Sequence, residues 1–528
     1  MTLFLFCSSF QLINKKNKRK TFMVCSVKTV AFQGISAKIV EVQASKTIGL
    51  PGFVIVGLPD KTVNESRERI RAVFAAIGLN FPNEHVVINL APADMVKEGT
   101  HYDLPIILAV LGLQGYIDTL QLQNMIFMGA LSLDGRIEAV TGVLPAAVTA
   151  VAENLGIVCS KANGIEATWS GCEKILPIGH VLELINYLKG TTNIVLPSKP
   201  VVSSGQYTID MAEVKGQESA KRALLIAAAG GHNLLMIGPP GSGKTMLAER
   251  LVTILPKMTV KEAIETAMIH SVAGIFSGNI DFCRPFRAPH HSASTPALVG
   301  GGRLGVPGEI SLAHNGVLFL DELPEFARST LDALRQPLES KEAIIARVLA
   351  HTVYPANFQL IAAMNPCRCG HLGSKERLCP RAPQCAVEYL SKLSGPFLDR
   401  FDMQIEVPPA NPYEITSAET GTDSKIMLQK VEQVREICAE RIDKLGCKNV
   451  TVNADLRGEI LEKVLDMDIT LRQFAAESAE KCGLTARGLM RILRLARTIA
   501  DLQNEKKVSR MHIVEALSYR HRLFRKPN

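Results

Sequence analysis

A glycine-rich segment carries the residue types that hold a triphosphate. It reads Gly238, Pro239, Pro240, Gly241, Ser242, Gly243, Lys244 and Thr245. Glycines let backbone N–H groups turn toward phosphates at a helix N-terminus, the lysine reaches the β- and γ-phosphate oxygens, and the threonine hydroxyl binds Mg²⁺. The segment therefore predicts a P-loop that binds ATP, with Thr245 as a Mg²⁺ ligand. The alternative is a chance glycine-rich turn, which the full match disfavours.

The elements around this segment must be a strand before it and a helix after it. The apolar run Leu234 to Ile237 predicts a buried strand, and Met246 to Arg250 favours a helix. Strand, loop and helix thus follow in the order that a P-loop requires.

A second apolar strand ends in two acids. Residues 316–320 are followed by Asp321 and Glu322. In P-loop enzymes a carboxylate at this point holds Mg²⁺, and a following glutamate can polarise the attacking water. We predict that Asp321 binds the metal and that Glu322 is catalytic. An isolated segment of this kind would be only a strand with an acidic cap, but this one lies downstream of a complete P-loop.

Two single residues are candidates for the same chemistry. Asn365 follows the apolar run 358–364 and could orient the attacking water, or could merely begin a turn. Arg400 lies just before the end of the predicted core and could reach a neighbouring subunit's γ-phosphate. The alternative for Arg400 is an ion pair with Asp399 or Asp402.

A basic stripe lies near the C-terminus. Arg487, Arg491 and Arg494 are spaced i, i+4, i+7, which places them on one helix face. One of them could touch nucleotide, and the others could form a solvated stripe.

The motifs, in the order in which they occur along the chain, resemble those of the magnesium-chelatase-like branch of the AAA+ ATPases. Four longer segments are similar to the ComM/YifB family, namely residues 230–233, 284–292, 307–311 and 365–370. The resemblance implies an α/β P-loop AAA+ core with a C-terminal helical lid, in a hexameric ring whose active site is shared between subunits. It also implies a role for each site residue: Lys244 and Thr245 as Walker A, Asp321 and Glu322 as Walker B, Asn365 as sensor 1, Arg400 as arginine finger and Arg487 as sensor 2.

The region before the P-loop alternates short β-rich runs, at 37–42, 53–56 and 85–90, with helical patterns, which predicts an α+β domain. Segments 49–53 and 90–99 are also similar to the family, and this resemblance implies a Lon-protease-like fold. Lon-type proteolysis needs a serine nucleophile and a lysine base. Gly99 to Asp103 contains no serine, and Thr141 to Pro145 contains no lysine. We therefore expect a degenerate, non-proteolytic domain that serves ring assembly or DNA contact.

The domain boundaries follow from composition. A stretch rich in Pro, Ser and Thr is the best linker. After Pro408 the apolar spacing predicts three helices, at 426–442, 456–465 and 484–502. We predict an extension at 1–22 that is disordered or a start-codon artefact, a Lon-like domain at 23–190, a linker at 191–207, an AAA+ core at 208–410 and a helical lid at 411–528.

Four cysteines fall within a short loop of the predicted core: Cys367, Cys369, Cys379 and Cys385. Four thiolates suit tetrahedral Zn²⁺, which would order a polar segment. The C-x-C spacing is less diagnostic than C-x-x-C, so free structural thiols are the alternative.

Two basic stretches are candidates for gripping a nucleic acid backbone. The insert 283–303 carries Arg284, Arg287, His290, His291 and Arg303, and a hairpin-like stretch at 344–354 carries Arg347. Either stretch could instead serve subunit contacts.

Composition limits the class of protein. At 528 residues the chain is long enough for several domains. No apolar run approaches the ~20 residues of a bilayer-spanning helix, so we expect a soluble protein with no membrane partner. Twelve cysteines beside an ATP site indicate a reducing cytoplasm without disulfides. Basic residues concentrate at 15–20 and 482–528, which favours a polyanion partner over a merely solvated surface.

These features predict an ATP hydrolase that uses Mg²⁺. Zn²⁺ is a candidate second metal, bound by the four cysteines. The resemblance sharpens this to a motor that acts on branched or single-stranded DNA, a branch-migration helicase aiding recombination of transforming DNA. The alternative is a magnesium-chelatase-type motor subunit that drives metal insertion by a partner, but it leaves the Lon-like domain unexplained. An ATP-dependent protease comes third, because the Ser/Lys pair is missing.

Overall fold

The computed structural model of the protein describes residues 24–47, 49–198, 205, 207–302, 305–346, 351–370, 372, 379–409, 422–447 and 450–520. These residues form two compact units. The first unit holds 24–198 and 271–279, and the second holds the remainder. The chain passes from the first unit to the second between residues 201 and 202, a point inside the predicted linker. The predicted extension 1–22 lies outside the described residues.

The first unit contains nine strands: β1 (Val24–Gln33), β2 (Ser36–Thr47), β3 (Gly52–Val56), β4 (His85–Ala91), β5 (Met125–Phe127), β6 (Ala130–Leu131), β7 (Ile137–Glu138), β8 (Gly156–Ser160) and β9 (Ile175–Ile178). Seven of them form one mixed sheet in the order β3-β4-β2-β1-β5-β8-β9. The pairs β1–β2 and β2–β4 are antiparallel, and the other neighbours in this sheet are parallel. The strands predicted at 37–42, 53–56 and 85–90 are confirmed as parts of β2, β3 and β4.

Five helices belong to this unit: α1 (Lys61–Ala76), α2 (Asp103–Leu113), α3 (Val143–Ala152), α4 (Gly164–Thr168) and α5 (Val181–Leu188). Successive residues of a strand point to opposite faces, so the sheet has a core on each side. Val27 and Phe127 pack with α1 and α2, whereas Val30 and Ile126 pack with α3. Ser271 donates to Glu166 at 2.5 Å, and the Trp169 indole donates to the carbonyl of Gly278. These bonds explain why 271–279 belongs with the first unit, although the sequence places it in the predicted core.

The second unit contains the remaining strands: β10 (Leu234–Ile237), β11 (Phe286–Arg287), β12 (Gly300–Gly301), β13 (Val306–Pro307), β14 (Val317–Leu320), β15 (Glu342–Ala346), β16 (His351–Pro355), β17 (Gln359–Met364) and β18 (Met403–Glu406). Five of them form a parallel sheet in the order β11-β14-β17-β10-β18. The pairs β12–β13 and β15–β16 are antiparallel, so the predicted hairpin stretch has the expected pairing. Since all five strands of the main sheet run the same way, their carboxyl ends meet at one edge.

The helices of this unit are α6 (Glu218–Gly230), α7 (Lys244–Arg250), α8 (Val260–Val272, whose last two residues group with the first unit), α9 (Thr295–Val299), α10 (Glu309–Leu312), α11 (Arg328–Ala333), α12 (Pro337–Ser340), α13 (Gln384–Leu390), α14 (Gly395–Leu398), α15 (Ser424–Lys444), α16 (Gly458–Leu465), α17 (Ile469–Lys481), α18 (Ala486–Leu502) and α19 (Arg510–Ser518). The three helices predicted in the C-terminal region are confirmed as α15, α16 and α18. Both α15 and α18 pack on α6. One apolar core therefore runs from the sheet, at Leu234, to Val434 of α15 and Ile499 of α18.

A buried ionic network fixes these C-terminal helices. Arg497 is fully buried and pairs with Asp501 at 2.9 Å. The same carboxylate accepts from Arg441 of α15 and from the Asn453 amide. Among the described residues, the structure holds no helix long and apolar enough to cross a bilayer.

Candidate ATP site

The glycine-rich loop joins β10 to α7. β10 ends at Ile237 and α7 begins at Lys244, so the predicted strand, loop and helix are all present. Gly241 and Gly243 have φ angles of 75° and 84°. This left-handed backbone is strained for any residue with a Cβ, which explains the choice of glycine at both positions.

The lysine at the start of α7 lies folded into this loop. The Lys244 ammonium donates to the carbonyls of Gly238 and Pro239, each at 2.8 Å. Burial lowers the Lys244 pKa, and the charge of Asp321 opposes that shift. A buried cation held by neutral carbonyls gains stability from an anion, so the loop fits a phosphate group.

Two oxygen ligands lie side by side at the sheet edge. Thr245 follows the loop lysine, and Asp321 follows the last residue of β14. The Thr245 hydroxyl donates to the Asp321 carboxylate at 2.8 Å. Hydroxyl and carboxylate oxygens are the ligands that Mg²⁺ prefers, so the donor set fits this ion.

Asn365 brings a third strand end to the same place. It follows the last residue of β17, and β17 lies between β14 and β10. The Asn365 amide oxygen is 3.4 Å from the Lys244 ammonium. The structure therefore gathers Lys244, Thr245, Asp321 and Asn365, which are distant in sequence, into one cluster.

Glu322 lies beside this cluster with an unusual backbone. Its φ is 50° and its ψ is 46°, a left-handed conformation that non-glycine residues rarely adopt. Its N–H donates to Asp321 at 2.8 Å. Its carboxylate is 3.4 Å from the Nδ1 atom of His291, a contact that the sequence did not reveal.

Arg400 and Arg487 lie elsewhere in the same unit. Both line a cavity of about 500 Å³, and its lining contains no residue of the glycine-rich loop and neither acid after β14. Arg400 is 8% exposed and pairs with Glu339 at 2.6 Å. The alternative pairing with Asp399 or Asp402 is wrong, because within the described residues the carboxylate that pairs with Arg400 is that of Glu339.

The three arginines of α18 differ in their contacts. Arg491 donates to the Phe401 carbonyl, and Arg494 donates to the Ala454 carbonyl at 2.5 Å. Arg487 is exposed, and the structure gives it no hydrogen bond or ion pair within the described ranges. Of the stripe, Arg487 is therefore the side chain available to a partner molecule.

The cavity carries an excess of positive charge. Its basic lining residues are Arg284, Lys341, Arg400, Arg435, Arg457, Arg487, Arg491 and Arg494, and its acidic ones are Glu262, Glu339, Asp402 and Asp455. Burial lowers the pKa of Arg491 and Arg494, and lowers that of Arg435 to about 10. The cavity thus gathers more positive than negative side chains, several of them largely buried.

The cysteine loop forms a compact sulfur cluster. The sulfurs of Cys367, Cys369, Cys379 and Cys385 all lie within 4.8 Å of one another. Thiolates around a tetrahedral Zn²⁺ at ~2.3 Å are separated by roughly 3.8 Å, so the four side chains fit this ion. The loop also meets the P-loop, because a Cβ at Gly370 would stand only 2.5 Å from the Pro240 ring.

The basic insert is largely engaged in internal contacts. The Arg284 guanidinium donates to the carbonyls of Pro256 and Asn315, and its side chain is 10% exposed. Arg287 makes a bidentate pair with Glu309 at 2.7 and 2.8 Å. The hypothesis that Arg284 grips DNA phosphates is therefore wrong. The Arg287 side chain is 36% exposed, and its phosphate contact stays a prediction. Arg303 and Arg347 lie outside the described residues.

In the first unit, the segment compared with the Lon nucleophile is packed into the core. His101 is 5% exposed, and its Nε2 is 2.9 Å from the Val30 carbonyl oxygen. Asp103 is fully buried and pairs with Arg69 at 2.6 Å. These side chains hold the fold together. The segment contains no serine, and its exposed side chain is that of Thr100.

Comparison with known proteins defines the class first. Three family profiles match the chain: "Magnesium chelatase, subunit ChlI" over residues 210–415, "Subunit ChlI of Mg-chelatase" over 40–163, and "Magnesium chelatase, subunit ChlI C-terminal" over 421–520. The second unit is thus a magnesium-chelatase-like AAA+ assembly of α/β sheet and C-terminal helices. This family context indicates an ATPase that uses ATP and Mg²⁺.

Individual relatives narrow the class. The chain is 44% identical to competence protein ComM of Haemophilus influenzae over 502 residues, covering 93% of this chain and 96% of the relative. It is 42% identical to uncharacterized protein YifB of Salmonella typhimurium, covering 94% and 96%. A magnesium-chelatase 38 kDa subunit of Acidiphilium rubrum is 26% identical, covering 60% and 90%. The chain belongs to the ComM/YifB family of magnesium-chelatase-like ATPases.

Proposed function

We propose that this protein is a ring-forming ATP hydrolase that moves DNA, and that its task is branch migration of recombination intermediates made with transforming DNA. One observation carries the proposal. The ATP-site side chains gather at one sheet edge, whereas Arg400 and Arg487 line a separate cavity of the same unit that is rich in basic side chains. Each half of the proposed catalytic site is complete only with a second copy of the chain.

At the sheet edge each side chain has one task. Lys244 binds the β- and γ-phosphate oxygens, and the glycine-rich loop offers its N–H groups to the phosphates. Thr245 and Asp321 hold Mg²⁺, which when bound neutralises charge on the phosphates. Glu322 polarises the attacking water, and Asn365 orients it.

The cavity supplies the other half of the reaction. Arg400 acts as an arginine finger and Arg487 as sensor 2, both on the ATP of the neighbouring copy. Their guanidinium groups offset the charge that develops on the transferred phosphoryl group. A closed ring of identical heterologous contacts satisfies every site, and we propose that the ring is a hexamer.

DNA is the proposed substrate on two grounds. A relative at 44% identity is named a competence protein, and competence is the uptake of transforming DNA. In the sequence, Arg303 lies between β12 and β13, and Arg347 lies between β15 and β16. We propose these two side chains as phosphate contacts, in place of Arg284.

Two further roles belong to this proposal. The four-cysteine loop holds Zn²⁺ and braces the P-loop through the contact between Gly370 and Pro240. The first unit is a Lon-like domain without proteolytic activity, a role supported by the core packing of His101 and Asp103. Its work is in ring assembly or DNA contact.

The test is the ATPase rate of the full chain without DNA, with forked DNA and with a three-stranded junction that has a mobile homologous arm. We expect strong stimulation by branched DNA and ATP-dependent movement of the junction. Lys244→Ala protein is the negative control for both readouts.

A magnesium-chelatase motor is the alternative, supported by the 26% identity to a chelatase subunit. Suppose that the protein hydrolyses ATP, but that the DNA junction neither moves nor stimulates this hydrolysis. If porphyrin metallation by a partner subunit then responds to this protein, the alternative replaces the proposal.

A further inference from the structure

An exposed arginine stands inside the four-cysteine loop. Arg368 lies between Cys367 and Cys369, whose sulfur atoms are 3.3 Å apart. Arg368 is exposed, and within the described residues it has no hydrogen bond or ion pair. A guanidinium presents several N–H donors in a plane, a geometry that matches the oxygens of a phosphate. None of the catalytic steps proposed above uses this side chain.

A tight turn fixes the backbone of Arg368. The Gly370 N–H donates to the Cys367 carbonyl at 2.9 Å, so residues 367–370 form a β-turn with Arg368 at its first central position. Cys367 is buried at one end of the turn. Gly370, at the other end, packs on the P-loop, where an added Cβ would stand 2.5 Å from the Pro240 ring. The Arg368 Cα is two residues, at most about 7.6 Å, from the Gly370 Cα, so its long side chain can reach a phosphate held in the loop.

The turn also lies beside the acids that follow β14. Asn365, three residues before Arg368, is 3.4 Å from the Lys244 ammonium. Burial raises the pKa of Tyr389 in α13, and nearby negative charges raise it further, namely those of Glu325, Glu322, Cys367 and Asp321. One phenol is thus close both to the cysteine cluster and to the two acids. The turn that carries Arg368 therefore lies at the end of the P-loop that faces the γ-phosphate position.

The charges at the sheet edge favour a further cation. Lys244 is opposed there by the two carboxylates of Asp321 and Glu322. ATP adds more negative charge, and Mg²⁺ offsets only part of it. A guanidinium beside the γ-phosphate would therefore stabilise bound ATP. It would leave bound ADP largely unaffected, because ADP lacks that phosphate.

We propose that Arg368 binds the γ-phosphate of the ATP held by its own chain, and that the cysteine cluster positions it for this contact. The inference rests on the proposed function, because it adds a residue to the same ATP site. Arg400 and Arg487 are assigned to the ATP of a neighbouring copy, whereas Arg368 adjoins the P-loop of its own chain. The cysteine loop thus has a part in distinguishing ATP from ADP, in addition to bracing the P-loop.

The experiment is titration calorimetry of the full chain with Mg²⁺ and two ligands, ADP and the β,γ-imido analogue of ATP, which is not hydrolysed. Arg368→Ala should bind the analogue about tenfold more weakly, because one charged hydrogen bond is lost, and should bind ADP as before. Arg368→Lys should lose less, because the ammonium keeps the charge but not the planar pair of donors. Arg381→Ala is the matched control, since Arg381 lies in the same loop but pairs with Glu388 at 3.0 Å.

Each variant is also assayed for zinc and for binding to a three-stranded DNA junction. Equal weakening of the analogue and ADP refutes the contact, because the turn would then support the P-loop as a whole. Unchanged binding of the analogue also refutes it, and if binding to the junction falls instead, Arg368 contacts DNA. Weaker binding of the analogue that comes with loss of zinc in both Arg368 variants likewise overturns the proposal, because the cluster and not the guanidinium then sets the affinity.

These titrations need neither turnover nor DNA, so they separate the inference from the proposed function. If the Arg368 variants lose the preference for the analogue and branched DNA does not stimulate the unsubstituted protein, the contact stands and the DNA function fails. If branched DNA stimulates the unsubstituted protein and the Arg368 variants keep their full preference, the DNA function stands and the contact fails. An unsubstituted protein that binds neither ligand overturns both.

Discussion

The sheet edge and the arginine cavity are two halves of one proposed reaction, and they are built differently. At the sheet edge, short side chains and backbone groups follow directly on β10, β14 and β17, and they already contact one another at 2.8 to 3.4 Å. The cavity is lined by residues from separate parts of the chain, between 231 and 494. Its charged groups stand at the ends of long side chains. The first half is organised within one chain, whereas the second, in the proposed ring, receives the ATP of a neighbouring copy.

Charge separates the two regions as well. The sheet edge holds one cation, Lys244, against the two carboxylates of Asp321 and Glu322, so negative charge is in excess there. The cavity has eight basic lining residues against four acidic ones. The excess of cations favours binding of an anion. The positive charge of the cavity is therefore less balanced than the charge at the sheet edge.

The largest expected effect is at the sheet edge. Lys244→Ala removes the cation that contacts the β- and γ-phosphates, and a hydrogen bond to a charged group contributes about 1.5–3 kcal/mol. We expect ATP binding, measured by titration calorimetry, to weaken by at least about tenfold. Hydrolysis should fall to background. Lys257→Ala is the matched control, because within the described residues the Lys257 ammonium donates to the Gly205 carbonyl and to no residue of the P-loop.

Glu322→Gln should separate binding from chemistry. The amide keeps the size of the side chain but cannot take a proton, so kcat should fall by about 10²- to 10⁴-fold. ATP affinity should change little, because the carboxylate acts on water and not on the phosphates. Single-turnover kinetics beside calorimetry measure both quantities. A variant that turns over normally would remove Glu322 from the catalytic step.

Removal of Zn²⁺ should affect the sheet edge, because the four-cysteine loop meets the P-loop there, and should leave the arginine cavity unchanged. We expect about one Zn²⁺ per chain by elemental analysis, and chelation should lower Tm by a few degrees because the metal holds the four-cysteine loop. Cys379→Ser should reproduce both changes, whereas Cys447→Ser, outside the cluster, should not. Metal-free protein with unchanged Tm would point to structural thiols instead.

The smallest effect concerns acid stability in the cavity. Burial raises the Asp402 pKa, but His232, Arg491 and Arg494 outweigh burial and hold it at about 2. A depressed folded-state pKa stabilises the protein above the unfolded value near 3.8 and loses that contribution as pH falls toward 2. The contribution is about 2 kcal/mol. Denaturant unfolding from pH 5 to pH 2 should show a shallower loss for Asp402→Asn than for the unsubstituted protein.

The sequence predicted the sheet edge well because each of its residues follows an apolar strand within the same short segment. The helix α2 escaped prediction for a physical reason: all eleven of its residues are buried, so its sequence has no amphipathic period. Arg284 was misjudged because a guanidinium that binds buried carbonyls looks the same in sequence as one that binds phosphate. The contact between His291 and Glu322 joins residues brought together only by the pairing of β11 with β14.

The arginine cavity shows the same limit. Its lining spans the sheet, α12, α15 and α18, so no local pattern marks it. The resemblance to a known family supplied the roles of Arg400 and Arg487, and the structure supplied their shared location.

Mixing inactive variants tests most directly whether the site is divided between copies. Lys244→Ala and Arg400→Ala proteins should each be inactive as homogeneous rings. When they are mixed, an intact P-loop from one copy can meet an intact Arg400 from the next, so ATPase activity should return. Mixing Lys244→Ala with Glu322→Gln is the matched control, and no activity should return because both defects lie in the same half. Mixed rings that form but show no recovery with Arg400→Ala would mean that Arg400 does not act on a neighbour's ATP.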